Sequence, residues 1–371
     1  MKVSFDLHPT RARHNFPAAA LLLVAILASG CSDGPRVPAT QPAQKRFLSL
    51  SVNPRPEPPP QPQDFIDAFT LAYNAGARGQ YLFFTWSTLE PQAGVYNFRE
   101  LDDATQQLLS FGYQQFLLNI AVVNTIPKET PRDLVGVGFN TPQMKERFHA
   151  LLDALRPHLD RRFVYLSVGN EVDGYLAADA AAWQAYKDFY EDTLRYIHQT
   201  LPGIKVGVTV MFGGAVGSAA ANITNLTSAS DVYILTYYPP TQGTSSAAPQ
   251  APRTDFPRMV ALARGRPVIL QEVGYPSSPV LSSSEADQAQ FVSTVFDAWQ
   301  AQGATIPFLN FFLLHDLTDA TVNDLLGYYG LPPDPNFFAF LRTLGLRRVD
   351  GSAKPAWQAL VDAATRTHLP E

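Results

Sequence analysis

Two short segments hold the residues best suited to chemistry: Ser167-Val168-Gly169-Asn170-Glu171-Val172 and Val268-Ile269-Leu270-Gln271-Glu272-Val273-Gly274-Tyr275. Each is an apolar, β-branched run that reaches a glutamate and then breaks. A strand that delivers a carboxylate to its C-terminal end bears the cost of burying charge unless that group is paired or used. Two such carboxylates facing each other suit a two-step displacement at an acetal carbon, in which one attacks and the other moves a proton. The separation, 272 − 171 = 101 residues, leaves room for three strand–helix units between them. For one strand-end glutamate alone, a buried ion pair with Arg or Lys is the competing explanation. Two of them, with Asn170 before the first, favour chemistry.

The elements that must position these groups alternate along the chain. Apolar runs at Phe47–Val52, Gln80–Thr85, Gln115–Ala121, Phe163–Gly169, Ile204–Met211, Val232–Tyr238, Pro267–Glu272 and Pro307–Leu314 read as eight strands. Few of them alternate strictly, which implies burial on both faces and a parallel sheet under helices. Helical patterns lie between: Phe65–Ala75 after an Asp64 cap, Glu100–Phe111, Pro142–Leu155 after Thr141, Ala181–Leu201, Arg253–Arg264, a Ser282/Glu285 capping box leading to Gln302, Asn336–Leu344 and Pro355–Ala364. Ser218–Ser228 is the weakest helical pattern. Eight strand–helix units predict a single α/β domain, a (β/α)8 barrel over residues 46–371. An open doubly wound sheet is the rival, but Asn53-Pro54-Arg55-Pro56-Glu57-Pro58-Pro59-Pro60 after strand one cannot cradle a phosphate with backbone N–H groups. Gly213-Gly214-Ala215-Val216-Gly217 lacks the lysine and hydroxyl of a phosphate loop.

In such a barrel the site lies at the C-terminal ends of the strands. The residues there are Asn53, Trp86, Asn119, Asn124, Asn170, Glu171, Tyr237, Tyr238, Glu272, Tyr275, Asn310 and His315. Amides bond hydroxyls and aromatic faces stack on the C–H faces of sugar rings. The expected binding set is Asn170, Tyr238, Trp86, Asn119 and His315, with Tyr238 a donor to the nucleophile and Trp86 a sugar platform. Glu171 and Glu272 are the catalytic pair, and their pKa values must differ. The long segments Val122–Asn140, Pro239–Ala251 and His315–Pro335 are expected to wall the cleft. His149, His158 and His198 fall on outer helices. There is no HExxH, no GxSxG and no paired-cysteine motif, and no metal or organic cofactor is implied.

The 371 residues are 46% hydrophobic and 16% charged with net charge −5, so no basic face invites nucleic acid. The single cysteine, Cys31, excludes an intrachain disulfide. Lys2, Arg11 and Arg13 precede an apolar stretch from Pro17 to Ala28, too short for a comfortable membrane span. Leu27-Ala28-Ser29-Gly30-Cys31 resembles a bacterial lipobox, with Leu one position earlier than usual. Residues 1–30 are therefore expected to be a lipoprotein signal peptide and Cys31 a lipid anchor in a bacterial cell envelope. Ser32 after the cysteine points toward an outer membrane. Residues 31–45, with Pro35, Pro38 and Pro42, form a semi-rigid tether. A monomer is expected.

The catalytic and mouth residues, Asn170-Glu171 and Glu272 ending their strands, resemble those of the clan A retaining glycoside hydrolases. Trp86-Ser87-Thr88-Leu89-Glu90-Pro91-Gln92-Ala93-Gly94-Val95-Tyr96 is similar to a W-x-x-x-E-P-x-x-G-x-Y segment of that clan, and Asp350-Gly351-Ser352-Ala353-Lys354-Pro355-Ala356 to its closing segment. Val168-Gly169-Asn170-Glu171, Tyr237-Tyr238-Pro239 and Glu272-Val273-Gly274-Tyr275-Pro276 look most like arabinogalactan endo-1,4-β-galactanases, with endo-1,3-β-glucanases next. The resemblance implies a retaining hydrolase of a poly- or oligosaccharide, with Glu171 as acid/base, Glu272 as nucleophile and Asn170 a donor to the sugar 2-hydroxyl. A non-catalytic carbohydrate-binding barrel and a transglycosylase of envelope glycans remain alternatives. Two departures stand out: Pro240-Thr241 follows Tyr-Tyr-Pro where those enzymes have Trp, and Phe311-Phe312-Leu313-Leu314-His315 lacks the Trp many members carry after strand eight.

Overall fold

The structure is a computed structural model that describes residues 45–239 and 245–367. The signal peptide, Cys31, nearly all of the tether and Pro240-Thr241 lie outside the described residues. Eight parallel strands form the barrel: β1 (Phe47–Leu50), β2 (Gly79–Thr85), β3 (Gln115–Asn124), β4 (Phe163–Asn170), β5, β6 (Tyr233–Tyr237), β7 (Val268–Val273) and β8 (Phe308–Phe311). Strand β5 is two short pieces, Lys205–Gly207 and Thr209–Met211, on either side of Val208. The first piece pairs with β4 and the second with β6, so the sheet runs as two halves, β2-β3-β4-β5 and β5-β6-β7-β8-β1. Between β1 and β2, Arg78 N donates to Leu48 O at 3.0 Å and Tyr81 N to Ser49 Oγ at 3.2 Å.

Helices follow the strands: α1 (Pro62–Asn74), α2 (Trp86–Leu89), α3 (Arg99–Phe111), α4 (Pro142–Leu155), α5 (Val172–Leu176), α6 (Ala180–Thr200), α7 (Phe212–Val216), α8 (Ala220–Leu226), α9 (Pro252–Ala263), α10 (Glu285–Gln302), α11 (Asp319–Tyr329), α12 (Pro335–Arg342) and α13 (Pro355–Arg366). Thr141 caps α4, its hydroxyl accepting from Met144 N. The cap of α10 is Ser284, which accepts from Asp287 N, not Ser282; Ser282 sits in the left-handed region at φ 53°. Residues 315–335, expected as a wall segment, include a capped helix, α11, which starts from Thr318.

Strand parity sorts the core. Phe116, Leu118, Ile120 and Val122 of β3 face the helices, while Leu117 and Asn119 face the barrel axis. The lower interior layer is apolar: Phe47, Tyr81, Leu117, Tyr165, Val232, Ile234, Ile269 and Phe308. Above it lies a polar layer of Ser49, Asn119, Ser167, Thr209, Gln271 and Asn310, each at 0% exposure. Burying them is tolerable because they bond one another. Ser49 Oγ donates to Asn310 Oδ1 at 2.7 Å, Asn310 Nδ2 to Gln271 O at 2.8 Å, and Ser167 and Thr209 hydroxyls meet at 2.7 Å.

Candidate active site

The strands end in irregular backbone that turns Glu171 and Glu272 into one cleft. In β4, Gly169 has φ 88°, and a Cβ there would lie 2.4 Å from the Tyr186 hydroxyl, so only glycine fits. Glu171 itself is left-handed at φ 45°, an unusual state for a glutamate that the surrounding contacts must hold. In β7, Leu270 pairs with Leu235 and Glu272 with Thr236, which leaves Gln271 without a partner on β6. The bulge changes side-chain parity, so Gln271 and Glu272 both serve the interior.

Thr236 links the two carboxylates. It is the β6 partner of Glu272, and its hydroxyl donates to Glu171 Oε1 at 2.7 Å. Thr125 donates to Glu171 Oε2 at 2.6 Å, and Tyr238 OH donates to Glu272 Oε2 at 2.8 Å. Burial, then the Glu171 charge, pushes the Glu272 carboxyl up to about 7, against lowering by its bonds from Tyr238 and Gln271. Burial and the two carboxylates hold the Tyr238 phenol well above its ordinary value, so it stays a donor. Asp173 is pushed up to about 7, chiefly by burial and also by Glu171, although Met211 N–H opposes the shift.

Asn170 lies beside the pair. Its Nδ2 donates to Asn124 Oδ1 at 2.9 Å and its Oδ1 accepts from Gln271 Nε2 at 2.6 Å. Gln271 Oε1 accepts from Thr209 at 2.7 Å and from Asn119 Nδ2 at 2.9 Å. Tyr81, Thr125, Thr236, Gln271 and Tyr329 join this group although the sequence reading did not single them out. Tyr81 and Tyr329 are both raised, first by burial and then by the charges of Glu171 and Glu272. For Thr236 the available signal was parity, two residues before Tyr238 on one strand; for Gln271 it was adjacency to Glu272. Tyr329 rides on α11, the helix read as loop.

Three expected binding residues sit elsewhere. Trp86 is fully buried on the outside of the barrel, edge-on to Phe148 at 4.9 Å, with its indole N–H on Glu90 Oε2 at 2.8 Å. It starts helix α2 immediately after β2, so its ring turns away from the mouth and cannot stack on a sugar. Asn119 is at 0% exposure, one layer below the cleft, and acts on Gln271. His315 is buried and exchanges bonds with Asn53: its backbone N–H reaches Asn53 Oδ1 at 2.9 Å, Nδ1 meets Asn53 O at 2.8 Å, and Asn53 Nδ2 reaches His315 O at 3.0 Å. Burial lowers its pKa to about 4, so it is a neutral clasp between the loops after β1 and β8. Tyr237 and Tyr275 also turn outward, onto Asp255 and Ala247 O.

Among the described residues no group of three or more His, Cys, Asp or Glu is placed to hold a metal ion, and no helix is long and apolar enough to cross a membrane.

No protein-family profile matches the chain, and no curated protein does. Solved structures do match. A GH5_18 protein from Streptomyces cattleya in complex with GlcNAc is 18% identical with a TM-score of 0.66, over 89% of this chain and 82% of that one. An exo-β-1,4-mannosidase from an Opitutaceae bacterium is 18% identical with a TM-score of 0.65, over 87% of this chain and 60% of that one. A xylanase from Thermotoga maritima is 12% identical with a TM-score of 0.62, over 87% and 96%. What this chain shares with these glycoside hydrolases is their (β/α)8 barrel fold.

Proposed function

We propose that the chain is a retaining β-glycoside hydrolase of a poly- or oligosaccharide. The observation that carries this reading is the pair Glu171 and Glu272, brought to one threonine from the end of β4 and from β7: Thr236 donates to Glu171 and pairs with Glu272 across the sheet. Retention calls for carboxylates about 5 Å apart, one ionised and one protonated. Glu272 is read as the nucleophile, because the Tyr238 phenol donates to it and so favours its ionised form; burial and Glu171 hold its carboxyl up to about 7, so attack is expected to gain as pH rises through that value. Glu171 is read as the acid/base. Its partners are threonine hydroxyls, which donate to a carboxylate and turn to accept from a carboxylic acid, so they suit a group that alternates between the two. Glu171 gives its proton to the leaving oxygen while Glu272 bonds the anomeric carbon. Glu171 then takes a proton from water, which displaces Glu272. The neighbours include a mannosidase and a xylanase, so β-mannosides and β-xylosides head the substrate panel, with 1,4-β-galactan and 1,3-β-glucan from the motif resemblance.

The test is a screen of the soluble domain, followed by variants on whatever it cleaves. Glu272→Ala is expected to lose about four orders of magnitude in kcat or more, with azide giving an inverted glycosyl azide. Glu171→Ala should hurt poor leaving groups most and, with azide and activated aryl glycosides, give a retained product. Near wild-type activity in both variants would overturn the assignment. A wild type that binds oligosaccharides but cleaves none would instead make this a binding barrel.

We further read Cys31 as the lipid anchor of an envelope protein, from the h-region and lone cysteine alone. Cys31→Ser should release the protein from the membrane fraction or block its processing; unchanged fractionation and cleavage would overturn that.

A further inference from the structure

We propose that Tyr328, held by Glu129, is a positioning residue that sets which face of the Asn170 amide is offered to substrate. This rests on the glycosidase reading above for its substrate, though not for its geometry. Tyr328 lies on α11 and makes two bonds. Its hydroxyl donates to Glu129 Oε1 at 2.5 Å and accepts from Asn124 Nδ2 at 3.0 Å. Asn124 Oδ1 in turn accepts from Asn170 Nδ2, and Asn170 Oδ1 accepts from Gln271 Nε2.

The direction of this chain follows from its end. A phenol has one proton, and it goes to Glu129 Oε1. The phenol oxygen is then left to accept, which turns the nitrogen of Asn124 toward it and the oxygen of Asn124 toward Asn170. Asn170 must meet that oxygen with an N–H, and Gln271 meets its carbonyl from the other side. With one N–H and the carbonyl engaged, the second N–H of Asn170 remains to donate to a sugar hydroxyl. Ser87 Oγ, donating to Glu129 Oε2 at 3.1 Å, fixes the far carboxylate oxygen. The neighbouring residue works in parallel: Thr125 N donates to Asn170 O at 2.9 Å while its hydroxyl reaches Glu171. The Asn124-Thr125 pair at the end of β3 thus holds the Asn170-Glu171 pair at the end of β4, and Tyr328 clamps the first of these from above.

Two readouts test this. In wild type, the aryl glycoside found by the screen should outpace its 2-deoxy counterpart. In Tyr328→Phe, kcat/KM for the 2-hydroxy substrate should fall about tenfold or more while the 2-deoxy substrate changes less than about twofold, because only the first depends on the Asn170 N–H. Glu129→Gln, which gives the phenol a partner able to donate, should do the same. An equal fall on both substrates, or no fall on either, overturns the proposal. The second readout needs no activity: the side-chain amide signals of Asn170 in the ligand-free protein, identified by their loss in Asn170→Ala. These should shift and broaden in Tyr328→Phe. Unchanged signals overturn the relay even if no glycoside is cleaved, whereas inactivity with shifted signals overturns only the glycosidase reading.

Discussion

Glu90, just beyond β2 and α2, and Glu272, near the end of β7, are two glutamates of one barrel whose surroundings are opposite. Glu90 is completely buried, and every neighbour compensates it. Arg147 Nη2 and Nε reach its Oε1 at 2.6 and 3.1 Å, Gly94 N–H reaches the same oxygen at 2.7 Å, and the Trp86 indole takes the other. Glu272 is half-buried and faces a second carboxylate, with a phenol as its short-range donor. A buried charge with its cation is structure. A buried charge set against a like charge is a standing cost, and such costs gather where chemistry is done. The W-x-x-x-E-P segment therefore supports the barrel, while the N-E and Q-E strand ends load it.

The sharpest way to break this contrast is to remove the cation. Arg147→Met takes the cation from a buried carboxyl group, and should lower stability by about 3–5 kcal/mol in urea unfolding. A loss below about 1 kcal/mol would show that Glu90 is not held as described. The opposite sign is expected at the other glutamate. The unfolded chain releases a glutamate proton near pH 4.3, the folded chain releases that of Glu272 near 7. Between those values the folded protein holds more protons, so stability falls as pH rises. Glu272→Gln should raise stability at pH 8 by about 2 kcal/mol, flatten the pH 5–8 profile and abolish turnover. A variant less stable than wild type at pH 8 would mean that the pair is not strained. The smallest effect is expected for Trp86→Phe, which loses one buried bond and about 1 kcal/mol, with KM unchanged. A several-fold rise in KM with no change in melting would return Trp86 to the cleft.

Much of the fold was legible because a buried parallel strand and an amphipathic helix leave different periods in sequence. All eight strand runs appear, and Thr141-Pro142 begins its helix where capping chemistry says it should. The site was legible only at its ends. Glu171, Glu272, Asn170 and Tyr238 stand together as the spacing suggested, but being at a strand end does not say which way a side chain points. A helix that begins at Trp86 turns that ring outward, and a bulge at Gln271 turns Glu272 inward. The Ser282/Glu285 capping box lost to Ser284 because two serines within reach of an acidic first turn cannot be told apart without the backbone. Helix α11 was hidden by Gly327 and its run of Asn and Asp, and with it the two tyrosines it carries to the mouth.

The break in β5 at Val208 bears on how the two carboxylates are held apart. One belongs to each half-sheet: Glu171 to β2-β3-β4-β5, Glu272 to β5-β6-β7-β8-β1. Their distance is thus not a property of any single strand but of a joint, and the joint is sewn by side chains rather than by a continuous backbone ladder. Thr236 to Glu171, Gln271 to Asn170 and Asn119 to Gln271 are the stitches, each running from one half to the other. In mechanical terms the mouth is a pair of jaws whose gap is gauged by amides and hydroxyls in the buried interior of the barrel, so on the proposed glycosidase reading the choice between retention and inversion would be set there rather than by the loops at the rim.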